Sequence, residues 1–186
     1  MEITDNIIIS EANEFPHSLM QPFYSDFVGI IICQQGMFRF CVDGTSFVAS
    51  AGETVFLSKG LMFQVLETSQ DLQFTLLFYR VEQIRHMLGN TIVAMRLYST
   101  LYPQSCVVMH TEYEEMLNDY IRMLYTLECQ PQRDTYSCHE QNLLLMAVTY
   151  RLCSIFSASS KPVRKEMDRK IEIFETLVKL IEQNFM

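Results

Sequence analysis

Five of the chain's six glycines stand at Gly29, Gly36, Gly44, Gly52 and Gly60, spaced 7, 8, 8 and 8 residues apart. Around them lie short, mostly apolar or aromatic segments: FVGIIIC, MFRFCV, TSFVAS, ETVFL and LMFQVL. Glycine accepts the positive backbone dihedrals of tight turns, so evenly spaced glycines between β-prone segments punctuate strands. A spacing of eight leaves a strand of about five residues and one turn. This rhythm predicts a small antiparallel barrel or sandwich over the front third, a fold that commonly holds a ligand in its mouth.

Val42-Asp43-Gly44-Thr45 is the strongest hairpin signal, because Asp-Gly suits the type I′ turn that matches strand twist. Residues 1–27 form an arm in which Ile7-Ile8-Ile9 can add a strand, while Pro16 and Pro22 break any helix. Leu72 to Arg80 is a further strand, with Phe74, Leu76 and Phe78 on one face and Thr75 and Tyr79 on the other.

After Tyr79 the period changes. Short helices are expected over 81–88, stopped by Gly89, and over 91–101, stopped before Pro103. Thr111 reads as an N-cap with Glu112, Glu114 and Glu115 in the first turn. The helix it opens carries Tyr113, Met116, Leu117, Tyr120, Leu124 and Leu127 on one face. A second long helix runs from about Thr135 to Phe156, and its apolar residues surround most of its circumference. Each exposed Leu or Phe would forgo about 1.5–3 kcal/mol of burial. The helix is therefore expected to be covered on two sides, by the barrel and by a second copy of the chain, with Leu144, Met146 and Val148 as candidate partner-facing positions. Residues 157–165 have linker composition. A last amphipathic helix carries Ile171, Phe174, Leu177, Val178, Ile181 and Phe185 and stops in mid-stripe at Met186.

The 186 residues are 49% hydrophobic and 19% charged, which is globular composition. The longest apolar runs, FVGIIIC and LLLMAV, fall far short of the ~20 residues of a membrane span. No signal peptide opens the chain, so a cytoplasmic protein is expected. Its six cysteines form no Cys-x-x-Cys pair and read as buried small hydrophobes. The net charge of −8 disfavours nucleic-acid binding by these residues alone. Residues 151–186 nevertheless hold 7 of the 14 basic residues and only 5 of the 22 acidic ones. That tail suits the approach to a nucleic-acid-binding element, or a solvated helix face.

Catalytic patterns are absent: no phosphate-cradling glycine loop, no Gly-x-Ser-x-Gly, and no His-Glu-x-x-His, since His139-Glu140 lacks the second histidine. His17, His86, His110 and His139 are isolated, and none lies between residues 28 and 80. No catalytic residue, metal ligand or cofactor is expected.

Gly36-x-Phe38-x-Phe40-x-Val42-Asp43-Gly44, then Ala51-Gly52-Glu53-x-x-Phe56-Leu57, then Gly60, together resemble the cupin-type sensor domain of AraC-family transcriptional regulators. Residues 171–185 resemble the first helix of that family's helix-turn-helix domain. The resemblance implies an α+β chain: a cupin-like antiparallel β-barrel, or jelly roll, followed by a helical hairpin. Its divisions would be an arm and barrel sensor at 1–90, a helical dimerisation region at 91–160, and a linker with the start of the DNA-binding domain at 161–186. It implies a cytoplasmic homodimer that binds a small effector and reaches DNA only through its C-terminal domain, with no membrane partner. Metal-binding cupins use His-x-His, a Glu and a later His, whereas the matching strands here offer Phe38, Phe40, Phe63 and Phe74. A metal-independent cupin enzyme and a barrel that only scaffolds dimerisation are the alternatives.

Strand alternation selects the lining of any barrel pocket as Phe38, Phe40, Phe63, Val65, Phe74 and Leu76, with His17 and Tyr24 closing the mouth. A register flip would substitute Arg39, Gln64, Thr75 and Tyr79. The apolar set is preferred because an uncompensated buried arginine costs far more than a buried Phe gains.

Overall fold

The computed structural model describes residues 7–80, 106–110, 115–131 and 134–159 of the chain. The glycine rhythm becomes a run of strands: β1 (Ile7–Ala12), β2 (Phe23–Ser25), β3 (Val28–Gln35), β4 (Met37–Val42), β5 (Thr45–Ser50), β6 (Glu53–Leu57), β7 (Leu61–Thr68) and β8 (Gln73–Tyr79). Gly36, Gly44, Gly52 and Gly60 sit between consecutive strands with φ of 73°, 82°, 82° and 87°. Asp43 also has positive φ, at 47°, as a type I′ turn requires of both central residues.

Gly29 departs from this pattern. It lies inside β3, and a Cβ there would run into the Phe78 ring and come within 3.3 Å of the Leu57 Cβ. Close packing, not a turn, requires that glycine.

The strands form two antiparallel sheets, ordered β1-β8-β3-β6-β9 and β2-β7-β4-β5, in a jelly-roll arrangement. The ninth strand, β9 (Cys106–His110), pairs along the edge of β6, with Val108 opposite Val55. It falls within 91–160, expected to be helical, and so carries the first sheet into that region. The arm contributes β1, which pairs with β8 from Ile7 opposite Tyr79 to Ala12 opposite Phe74.

Two apolar cores follow from strand alternation. Ile31, Cys33, Phe74, Leu76 and Phe78 point between the sheets, meeting Phe38, Phe40, Phe63 and Val65 of the second sheet. Ile30, Ile32, Leu77 and Tyr79 point the other way, against two helices, α1 (Glu115–Glu128) and α2 (Thr135–Ser159).

Both helices correct the expected faces. In α1 the buried stripe is Leu117, Ile121, Leu124 and Leu127, while Met116 stands 50% exposed. In α2, Leu145, Val148, Leu152 and Phe156 pack on the sheet, so Val148 is fully buried and cannot face a partner. Leu144 and Met146 are half-buried at the margin of this core. The large apolar residues that α2 turns outward are Tyr136, Leu143 and Tyr150, at 81%, 65% and 44% exposure.

Asp134 caps α2. Its Oδ1 accepts hydrogen bonds from the Ser137 backbone N–H at 2.7 Å and the Ser137 hydroxyl at 2.8 Å. These bonds hold the Asp134 carboxyl below its usual range, so the cap persists above the ordinary carboxylate pKa and is lost as pH falls through the depressed one. The helix continues through Ser159, past the start of the expected linker. The expected helices at 81–88, 91–101 and 171–185, the Thr111 cap, Tyr113 and the rest of the linker lie outside the described residues.

Candidate functional site

The space between the sheets is where a barrel of this kind would take a ligand, and aromatic rings fill it. Phe15 of the arm stacks on Phe74 with centroids 4.0 Å apart and planes 15° apart. It meets Phe38 edge-on at 5.2 Å. Phe38 lies 5.3 Å from Phe40, which lies 5.7 Å from Phe63 and 5.5 Å from Phe47. Aromatic pairs at such separations contribute about 0.5–1.5 kcal/mol each beyond their buried area.

The structure brings together Phe38, Phe40, Phe63, Val65, Phe74 and Leu76, all buried within this one core. Residues of the flipped register are accounted for elsewhere. Arg39 points outward and pairs with Glu67 at 3.6 Å, both side chains well exposed. The Gln64 amide donates to the Met20 carbonyl at 3.0 Å. Thr75 accepts from the Gln34 amide at 3.0 Å on the helix-facing side. The Thr149 hydroxyl donates to the Leu145 carbonyl at 2.8 Å, which leaves the buried Tyr79 hydroxyl to donate to Thr149 at 3.1 Å. Burial raises the Tyr79 pKa well above the phenol range, so it stays neutral and ties the sheet to α2.

His17 and Tyr24 are not brought to that core. His17 is exposed in the 3-10 turn His17–Leu19, and Tyr24 is 60% exposed on β2. Phe15 and Leu19 hold the mouth instead, at 8% and 1% exposure. One sequence signal for Phe15 was available: it is a lone aromatic in a polar stretch, NEFPHS, directly before Pro16. Pro16, at φ −54°, starts the turn that drives Leu19 inward.

The one thiol deep in this core is inert at neutral pH. Burial, helped by the negative charges of Glu53 and Asp71, pushes Cys33 up to about 11. Burial alone pushes Cys106 and Cys153 up to about 12. Cys129 and Cys138 correct the expectation of burial, since both are exposed. Iodoacetamide at neutral pH should therefore label Cys129 and Cys138 first, with Cys33 and Cys153 modified only after denaturation, as read by peptide mass spectrometry. Prompt labelling of Cys33 in the folded protein would contradict the packing described here.

Among the described residues no three His, Cys, Asp or Glu side chains converge to hold a metal ion. No helix among the described residues is long and apolar enough to cross a membrane.

This arrangement of jelly roll and helical hairpin superposes on the AraC-like transcriptional activator CuxR, with a TM-score of 0.52 and 14% identity, over 84% of this chain and 54% of that one. The chain shares its fold with the matching part of this AraC-like activator. It spans about half the length of the CuxR chain. Similarity extends to wild-type ToxT from Vibrio cholerae with an unsaturated fatty acid bound, at TM-score 0.42 and 15% identity, over 77% of this chain and 52% of that one. A Cupin 2 conserved barrel domain protein from Salinispora arenicola is similar over 40% of this chain and 77% of its own, with TM-score 0.30 and 17% identity. No family model matches the sequence, and no curated protein matches it.

Proposed function

We propose that this chain is the effector-sensing and dimerising part of an AraC-family transcriptional regulator, a cytoplasmic non-enzyme whose DNA reading falls to a helix-turn-helix domain. The observation that carries this reading is the joining of the jelly roll to its helical hairpin as one unit, aligned over 84% of the chain with an AraC-like activator. The effector is small and largely apolar or aromatic. It binds among Phe38, Phe40, Phe63, Val65, Phe74 and Leu76, and it enters by displacing Phe15, the ring contributed by the arm. Binding then changes the arm's position, which is how occupancy would reach the DNA-binding domain. Dimerisation uses the outward face of α2, where Tyr136, Leu143 and Tyr150 recur every seven residues along one stripe, flanked by the half-buried Leu144 and Met146.

The filled interior favours one other reading, in which the barrel only holds the hairpin in place for dimerisation. A thermal-shift screen separates the two. Aromatic and lipid-like compounds should raise the melting temperature, Phe74→Leu should weaken that effect, and Arg39→Ala should keep it. No shift with any compound, in a chain that still dimerises, would favour the scaffold. Stabilisation by sugars alone, lost on Arg39→Ala, would overturn the apolar site.

A further inference from the structure

A second concavity lies on the opposite face of the five-stranded sheet from the aromatic interior. It is a cleft of about 270 Å³ between that sheet and the N-terminal half of α1. Its floor follows from register: Glu11 pairs across to Thr75, and Thr75 across to Ile32, so one row spans β1, β8 and β3. The rows on one side, Ile9 with Leu77 and Ile30, are apolar and sealed under the helices. At the Glu11 row the composition turns polar and the helix no longer closes the sheet. Asn118, Ile121 and Arg122 of α1 form the opposite wall.

We infer that this cleft binds a small apolar α-amino acid in its zwitterionic form. Glu11 on the sheet wall and Arg122 on the helix wall present one carboxylate and one guanidinium from opposite sides. The ion pair of Arg122 with Asp119 is a long 3.8 Å contact between two exposed chains, so the guanidinium is free to turn toward a ligand carboxylate. Glu11 is exposed, takes no part in the salt bridges among the described residues, and is open to a ligand ammonium. Ile32 and Ile121 give an apolar surface between the charges for the ligand's side chain.

The amide groups add direction. The Asn118 Oδ1 is buried and has no hydrogen-bond partner among the described residues. Such an acceptor loses its water without compensation, and a turn about the broad χ2 torsion offers it to a donor in the cleft. Gln34 spends its amide N–H on Thr75, which leaves its carbonyl oxygen as a second acceptor for an ammonium. The volume falls just below the ~300–1,000 Å³ of pockets for drug-sized ligands, which suits a single small metabolite. The cleft also joins β1 of the arm to α1, so a ligand here bridges arm and hairpin without entering the barrel.

The test is isothermal titration of the full chain with L-leucine, L-isoleucine, L-valine and L-methionine, each to about 10 mM, enough to detect a Kd of ~1 mM. At least one should bind. Its amide and its N-acetyl derivative, each lacking one charge, should bind about tenfold more weakly, as should Glu11→Gln and Arg122→Gln with the free amino acid. Phe74→Leu in the barrel and Arg39→Ala on the outer sheet should leave the affinity unchanged. The inference is overturned if none of the four amino acids binds, if both charge variants retain full affinity, or if binding is lost on Phe74→Leu instead.

Discussion

Val148→Asp will strip the helical layer from the sheet, whereas Leu143→Asp will leave the chain folded and turn the proposed dimer into monomers. The two positions lie five residues apart on α2, and the sequence treats them alike. Val148 is fully buried against the sheet beside Leu145 and Leu152. A carboxylate placed there has no cation among the described core residues, and an uncompensated buried charge costs several kcal/mol. Total stabilities run to about 5–15 kcal/mol, so most of the folded population is at risk. Leu143 is 65% exposed, and a charge at such a site changes monomer stability by about 0.5 kcal/mol or less. Circular dichroism melts should therefore show a large loss for Val148→Asp and almost none for Leu143→Asp. Sedimentation should show a dimer for the unmodified chain and a monomer for Leu143→Asp. A monomeric unmodified chain at micromolar concentration, or a Leu143→Asp variant that still dimerises, removes the α2 stripe as the interface.

That contrast marks the limit of what the sequence could say. Six consecutive apolar residues, Leu143 to Val148, show that α2 is buried on more than a narrow stripe, yet they carry no phase. The phase comes from the sheet, through the Tyr79 hydroxyl on Thr149 and the edge-on contact of Phe56 with Phe156 at 4.8 Å. The same division separates the glycines. Gly36, Gly44, Gly52 and Gly60 answer a local demand for positive φ, which spacing reveals. Gly29 answers a contact with Phe78 from a distant strand, which spacing cannot reveal.

In the barrel, alternation and the cost of burying Arg39 were enough to select six inward residues. Phe15 escaped because its burial depends on the path of the arm, not on any strand's period. β9 escaped for a related reason: five residues give too little pattern, and their pairing is set by the free edge of β6. On α1 the apolar spacing alone puts Met116 on the inner face and passes over Ile121, whereas packing on the sheet selects Leu117, Ile121, Leu124 and Leu127.

Phe15→Ala should produce the second large effect and bears directly on how an effector enters. Truncating a buried Phe costs about 3–5 kcal/mol. For a chain of this length that corresponds to a fall in melting temperature of roughly 6–20 °C. The arm should remain attached, because the six-residue β1 pairing with β8 does not involve this side chain. What is lost is the ring stacked on Phe74 and edge-on to Phe38, leaving an apolar space inside the barrel. Apolar cavities of that kind stay dry and accept aromatic hydrocarbons. Toluene or indole should therefore restore part of the lost melting temperature in Phe15→Ala, with less effect on the unmodified chain, where Phe15 competes for the same space. A restored variant would make Phe15 a surrogate for the effector, held in place by the arm until a better-fitting apolar molecule displaces it. An unchanged melting temperature would mean that the ring does not pack in the core. A fall that no aromatic compound reverses would mean that the barrel closes over the gap, and entry by displacement of Phe15 would then be excluded.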